Sequence, residues 1–171
     1  IYAGAQKNLG PSGVTLVVIR KDLAEKAREG IPNIFRYKTH LDGNSLYNTP
    51  PCFAIYIVML VTRWIQDQGG LEAVARVNSE KAARLYAAID GSEFYSGTAA
   101  KDHRSDMNVT FRLPSEDLEK AFIEKAAAEG LKGLKGHRSV GGVRASIYNA
   151  FPPQGVDALV AFMKEFEKKG A

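Results

Sequence analysis

Val14 to Ile19 is an almost unbroken apolar run between Gly13 and Arg20. A run of that length bounded by a glycine and a charge suits a strand covered on both faces. A longer run, Phe53 to Val61, continues through Trp64 and Ile65 with Arg63 as its single charge. It predicts a buried helix and is too short to span a bilayer. Beyond Gly69-Gly70 the spacing is again helical, with Leu71, Val74, Ala75, Asn78, Ala82, Leu85 and Ile89 on one face. The period then changes. Met107, Val109, Phe111 and Leu113 alternate with Asn108, Thr110 and Arg112, the mark of a half-buried strand. Ser115 stands where a helix N-cap is needed, Glu116 and Asp117 suit the positive end of that helix, and Gly130 suits its stop. Val143, Ala145 and Ile147 outline a further strand, and Leu159, Phe162, Met163 and Phe166 the stripe of a last helix.

Two stretches carry weaker patterns. Asp22 to Arg28 reads as a short helix that stops near Gly30-Ile31-Pro32. Residues 31 to 51 hold Pro32, Asn33, Asp42, Gly43, Asn44, Pro50 and Pro51 with no sustained period, and read as one long loop of the kind that often serves function. Strand, helix, strand, helix with short connections from residue 91 onward describe a small α+β domain, with helices on an antiparallel sheet. Residues 1 to 90 read as part of a larger domain with its connecting helices.

Composition narrows the function classes. The 171 residues are 45% hydrophobic and 25% charged, with no repeat or low-complexity tract, so a folded core is expected. The net charge of +4 comes from 23 basic residues scattered among 19 acidic ones. The basic cluster from Lys132 to Arg138 is broken by glycines and has no aromatic stacking partners, which argues against nucleic acid. A small positive excess suits anionic metabolites or a solvated surface. The single cysteine, Cys52, sits between Pro51 and Phe53 and reads as a buried thiol. With no secretory signal or membrane span, a cytoplasmic setting is expected. His40, His103, Cys52 and the carboxylates show no metal-ligand spacing.

The candidate chemistry begins at Lys7. Tyr2-Ala3-Gly4-Ala5-Gln6-Lys7-Asn8, followed by Leu9-Gly10-Pro11-Ser12-Gly13, puts one lysine in a tight turn ahead of an apolar strand. An amine held there away from water favours its neutral form and becomes a nucleophile toward carbonyls. Three further segments stand out in order: Tyr47-Asn48-Thr49-Pro50-Pro51, Arg104-Ser105-Asp106-Met107-Asn108-Val109, and the stretch from Leu134 to Asn149 that contains His137-Arg138 and Arg144. Together the four resemble the phosphoserine aminotransferases, class V, fold-type I pyridoxal-phosphate enzymes of serine biosynthesis. The resemblance covers essentially the whole chain.

That resemblance implies an α/β fold. The chain corresponds to the C-terminal part of such an enzyme, a remnant of the large α/β/α domain plus the small α+β domain. It implies that Lys7 forms the Schiff base with pyridoxal 5'-phosphate and moves the proton between substrate and cofactor. Gln6 takes a cofactor-contacting position. Asn48 and Thr49 reach the cofactor phosphate of the neighbouring subunit, so a homodimer is implied. Their other reading is a cap on the helix after Pro50-Pro51. His137 and Arg138 match the pair that holds the substrate phosphate, and Arg144 the residue that grips its α-carboxylate. The alternation supports the last assignment. Residues 143, 145 and 147 face one way, so Arg144 faces the other, with Gly142 and Ser146 leaving room for a bidentate carboxylate contact. A strand-edge salt bridge is the plainer reading of Arg144.

The aspartate, the stacking aromatic and the phosphate-binding helix start of the family lie N-terminal to the lysine. The chain opens at Ile1-Tyr2, just before the motif, and reads as lacking that N-terminal half. Three functions are therefore open. The chain is half of an enzyme that exchanges the amino group of glutamate with 3-phosphohydroxypyruvate, with weak cofactor retention and no turnover alone. It is half of a related enzyme with another substrate. Or it is a non-catalytic folded piece that self-associates through its apolar helices.

Overall fold

The computed structural model describes residues 1–169, in two compact units that divide between Asp67 and Gln68. In the first, β1 (Tyr2–Gly4) pairs antiparallel with β2 (Thr15–Val17), Ala3 opposite Leu16. The strand expected to be covered on both faces is instead exposed, with Leu16 at 52% and Val18 at 59%. A two-stranded ribbon has too little area to cover its own faces. α1 (Lys21–Ala24) is one turn, shorter than expected. Residues 25 to 30 offer only Ala27 as an apolar group, and a helix without packing does not extend.

The stretch read as a single loop contains a 3-10 turn at Asn33–Phe35 and α2 (Tyr37–Asp42). Six residues are too few to display a period. What holds them is local, an imidazole contact from His40 to the Ile34 carbonyl at 2.8 Å and a Lys38–Asp42 pair at 2.9 Å. α3 (Cys52–Asp67) forms as the sequence requires, but only Ile65 on it is buried. Ala54, Val58, Val61 and Ile65 make the inward stripe, while Phe53, Tyr56 and Leu60 are 76, 52 and 39% exposed. Cys52 is exposed too, against expectation. A helix apolar on all sides needs a neighbour on each side, and periodicity does not reveal which neighbour is at hand.

The second unit is built from α4 (Gly70–Asp90), β3 (Ser96–Gly97), β4 (Asn108–Arg112), α5 (Glu116–Ala128), β5 (Lys135–His137), β6 (Gly141–Ser146) and α6 (Pro153–Lys168). Its sheet has the antiparallel order β3-β4-β6-β5. Val109, Phe111, Val143 and Ala145 line the core face, and Asn108, Thr110, Arg144 and Ser146 alternate with them, half-buried. Ser115 caps α5 by accepting the Leu118 N–H, and Gly130 ends the run with φ +89. Phe122 meets Tyr95, Phe111, Phe162 and Phe166 at centroid distances of 5.0 to 6.1 Å with steep ring tilts, an edge-to-face cluster at the centre. α4 packs along α6 and belongs to this unit. The division between the two units thus falls ahead of α4.

Two polar devices fasten the unit. Lys81, 1% exposed, donates to the carbonyls of Ile147, Tyr148 and Phe151 at 3.0, 2.8 and 3.0 Å. Burial pushes its ammonium below the usual lysine range, and the three carbonyls oppose that by satisfying the charged form. Arg104 grips both oxygens of Asp90 at 2.6 and 2.7 Å and lies over the Tyr86 ring, which joins the end of α4 to the approach of β4.

Candidate functional site

The site residues singled out in the sequence are shared between the units. Gln6, Lys7, Asn48 and Thr49 lie in the first, and His137, Arg138 and Arg144 in the second.

The Lys7 turn is made by backbone bonds centred on Ala5, itself 2% exposed. The Ala5 carbonyl accepts from Lys7 N–H at 2.6 Å and Gly10 N–H at 2.8 Å, while Ala5 N–H donates to Val14. Gly10 has φ +155, and a Cβ there would stand 3.0 Å from a Val58 methyl. Glycine is therefore needed for the turn to approach α3. Gln6 and Lys7 ride outward on this rigid base, both exposed. The expectation that the turn withdraws Lys7 from water is not met, because the turn buries its backbone and leaves the side chain outside. Asn48 and Thr49 are exposed, and the first turn of α3 is met by the Pro50 and Pro51 carbonyls, which accept from Cys52 and Ile55.

β6 carries Arg144, whose N–H donates to the Leu134 carbonyl at 2.8 Å and whose cross-strand neighbour is Thr110. The alternation is as expected: Val143 and Ala145 are buried and Arg144 is half-buried on the other side. Its Nε is buried without a hydrogen-bond partner, and it joins no ion pair among the described residues. This strand is interior to its sheet, so an edge salt bridge does not occupy the guanidinium. A free, oriented guanidinium can take a carboxylate by two parallel bonds.

β5 and β6 are joined by a tight turn, closed by Val140 N–H to the His137 carbonyl at 3.0 Å. His137 Nδ1 contacts Ser139 Oγ at 2.7 Å and accepts the Ser139 N–H at 3.3 Å. An amide N–H can only donate, so Nδ1 carries the lone pair and the neutral ring of this exposed residue holds its proton on Nε2. Arg138 is exposed at the turn. His137 lies three residues along β5 from the residue opposite Arg144, about 10 Å of strand, so an anion spanning the two must be elongated or be reached by the long Arg138 side chain.

Sequence reasoning passed over Lys81, Arg112 and Glu119. Lys81 had a signal, since it stands three residues after Asn78 and four before Leu85 on the buried face of α4. Among the described residues no cluster of histidine, cysteine or carboxylates could hold a metal, and no helix is long and apolar enough to cross a membrane.

Residues 1–159 match the family described as aminotransferase class-V, and the chain belongs to that family. A phosphoserine aminotransferase of Desulfosudis oleivorans is 63% identical over 169 residues, covering 98% of this chain and 47% of the relative. The solved phosphoserine aminotransferase from Bacillus circulans subsp. alkalophilus superposes with a TM-score of 0.96 at 56% identity, over 99% of this chain and 47% of that one. A pyridoxal-phosphate-bound phosphoserine aminotransferase from Trichomonas vaginalis gives a TM-score of 0.90 at 41% identity, over 95% and 47%. The chain spans about half the length of the relatives it matches.

Proposed function

We propose that this chain carries the cofactor lysine and the substrate-gripping arginines of a phosphoserine aminotransferase acting in serine biosynthesis. The observation that carries the reading is Arg144, a strand-borne guanidinium with a buried, unpartnered Nε, in a chain 63% identical to a relative of that name. The donor set fits pyridoxal phosphate: a primary amine on a backbone-pinned turn, an adjacent amide in Gln6, and the amide and hydroxyl of Asn48 and Thr49. When bound, that cofactor supplies the electron sink for chemistry at the substrate Cα. Lys7 Nζ holds the cofactor and then carries the proton on and off the substrate carbon. Arg144 orients the α-carboxylate. His137 Nε2–H and Arg138 receive the phosphate, a double anion that suits two donors better than a side-chain carboxylate would.

The substrates are then glutamate and 3-phosphohydroxypyruvate, and the setting cytoplasmic. A homodimer is supported by Asn48 and Thr49, exposed as groups serving a neighbouring copy must be, and by the uncovered stripe of Phe53, Tyr56 and Leu60. Incubation with pyridoxal phosphate, borohydride reduction and peptide mass mapping test the reading. Modification concentrated at Lys7 and absent from Lys7→Ala is expected. Even labelling across the exposed lysines would refute a cofactor pocket formed by this chain alone.

A further inference from the structure

The hairpin turn that presents His137 and Arg138 does not stand alone. Arg112, the last residue of β4, lies under it. One terminal nitrogen, Nη1, donates to both carboxylate oxygens of Glu119 on α5, at 3.3 and 3.2 Å, and Glu119 is only 7% exposed. The other, Nη2, donates to the Val140 carbonyl. Val140 is also the residue whose N–H closes the turn on His137. The guanidinium therefore connects a buried anion on a helix to the backbone of the turn.

The sequence makes room for this bridge. Gly141 and Gly142 both adopt left-handed backbone, φ +74 and +73. A Cβ on Gly142 would stand 3.0 Å from Arg112 Cδ and 3.1 Å from the Phe111 carbonyl, and one on Gly141 would stand 3.2 Å from Arg112 Nη1. Two consecutive glycines thus let the Arg112 side chain lie across the start of β6, in a conformation other residues adopt at a cost. Glu119 orients Arg112, Arg112 holds the Val140 carbonyl, and the turn keeps Ser139 N–H on His137 Nδ1.

We propose that Arg112, braced by Glu119, is the positioning residue of this turn and thereby sets its affinity for a phosphate monoester. Arg112 does not touch the ligand. It fixes the turn in the shape that keeps the His137 proton on Nε2. The proposal rests on reading His137 and Arg138 as the phosphate-binding pair.

The test uses the 171-residue chain, labelled with nitrogen-15, with the His137 tautomer read by long-range proton–nitrogen correlation and inorganic phosphate as the titrated probe. The unaltered chain is expected to show the Nε2–H form and a phosphate response at His137. Arg112→Gln should mix the tautomers and weaken phosphate roughly tenfold, the scale of one charge-assisted hydrogen bond. Arg112→Lys should restore part of both, and Arg84→Ala, which removes a surface pair with Asp157, should move neither. Glu119→Gln replaces Arg112→Gln if the latter does not fold. A folded Arg112→Gln or Glu119→Gln protein with unchanged tautomer and unchanged phosphate affinity overturns the bracing role while leaving the phosphate reading intact. A shifted tautomer in a chain that never responds to phosphate upholds the bracing and overturns the affinity claim.

Discussion

Replacing Lys81 by methionine isolates the largest buried polar device in the second unit. The ammonium donates three bonds of 2.8 to 3.0 Å, one to the buried Ile147 carbonyl and two to the part-buried carbonyls of Tyr148 and Phe151. Methionine keeps an apolar stem of similar length and removes all three donors. An acceptor stranded in the interior costs about 2 kcal/mol, and the two reachable by water about 1 kcal/mol each. Relief from burying an ammonium returns about 1 kcal/mol. The net loss is about 3 kcal/mol, a sizeable share of the 5 to 15 typical of a domain. In urea, with a slope of about 1.5 kcal/mol per M, the midpoint should fall by about 2 M without a change of slope. Far-UV circular dichroism of Lys81→Met against the unaltered chain measures this. A midpoint that does not move, or that rises, would mean that water replaces Lys81 at all three carbonyls and that its charge is a net burden.

Gly136→Ala should be similarly costly, because a Cβ there would collide with the Gly141 carbonyl and stand 2.6 Å from the Gly142 oxygen. A loss of about 2 to 3 kcal/mol and faster amide exchange along β5 and β6 are expected, and wild-type exchange rates would contradict the geometry. The Arg104 guanidinium holds the Asp90 carboxyl below its ordinary 3.8. The stability this contributes is complete above that pH and is lost as pH falls through the lowered folded value, so Asp90→Asn should flatten the acid limb of the stability curve. A limb of unchanged steepness would count against it. On α3, Phe53→Ser combined with Leu60→Gln removes two groups that are 76 and 39% exposed. Sedimentation velocity should show less self-association than the parent chain, and equal association would exclude this face as the contact.

Elements whose shape depends on near neighbours were legible in the sequence. The alternation from Met107 to Leu113 specified β4 and its inward face, and Ser115 with Gly130 bounded α5. Arg144 could be assigned to the side opposite Val143 and Ala145 by counting alone. Burial was not legible in the same way. The apolar residues of β2 and α3 announce strand and helix, but their exposure depends on what stands beside them, which no local period encodes. α2 was too short to show a period. Of the candidate site, the Lys7 turn and the His137-Arg138 pair were legible through the resemblance of their segments to a known family, not through spacing alone. The Arg112 bridge could not, since its partners lie 7 and 28 residues away, on a helix and in a hairpin.

The chain's one tryptophan, Trp64, lies on α3 in the first unit, while the Tyr95 and phenylalanine cluster lies wholly in the second. Each unit therefore carries its own spectroscopic reporter without any label being introduced. Indole fluorescence follows the half bearing Lys7, and ring-current-shifted methyl resonances follow the half bearing Arg144. If the two signals change at the same denaturant concentration, the halves melt as one cooperative body. If they separate, the lysine-bearing unit can open while the arginine-bearing unit stays closed, and each unit has its own lifetime.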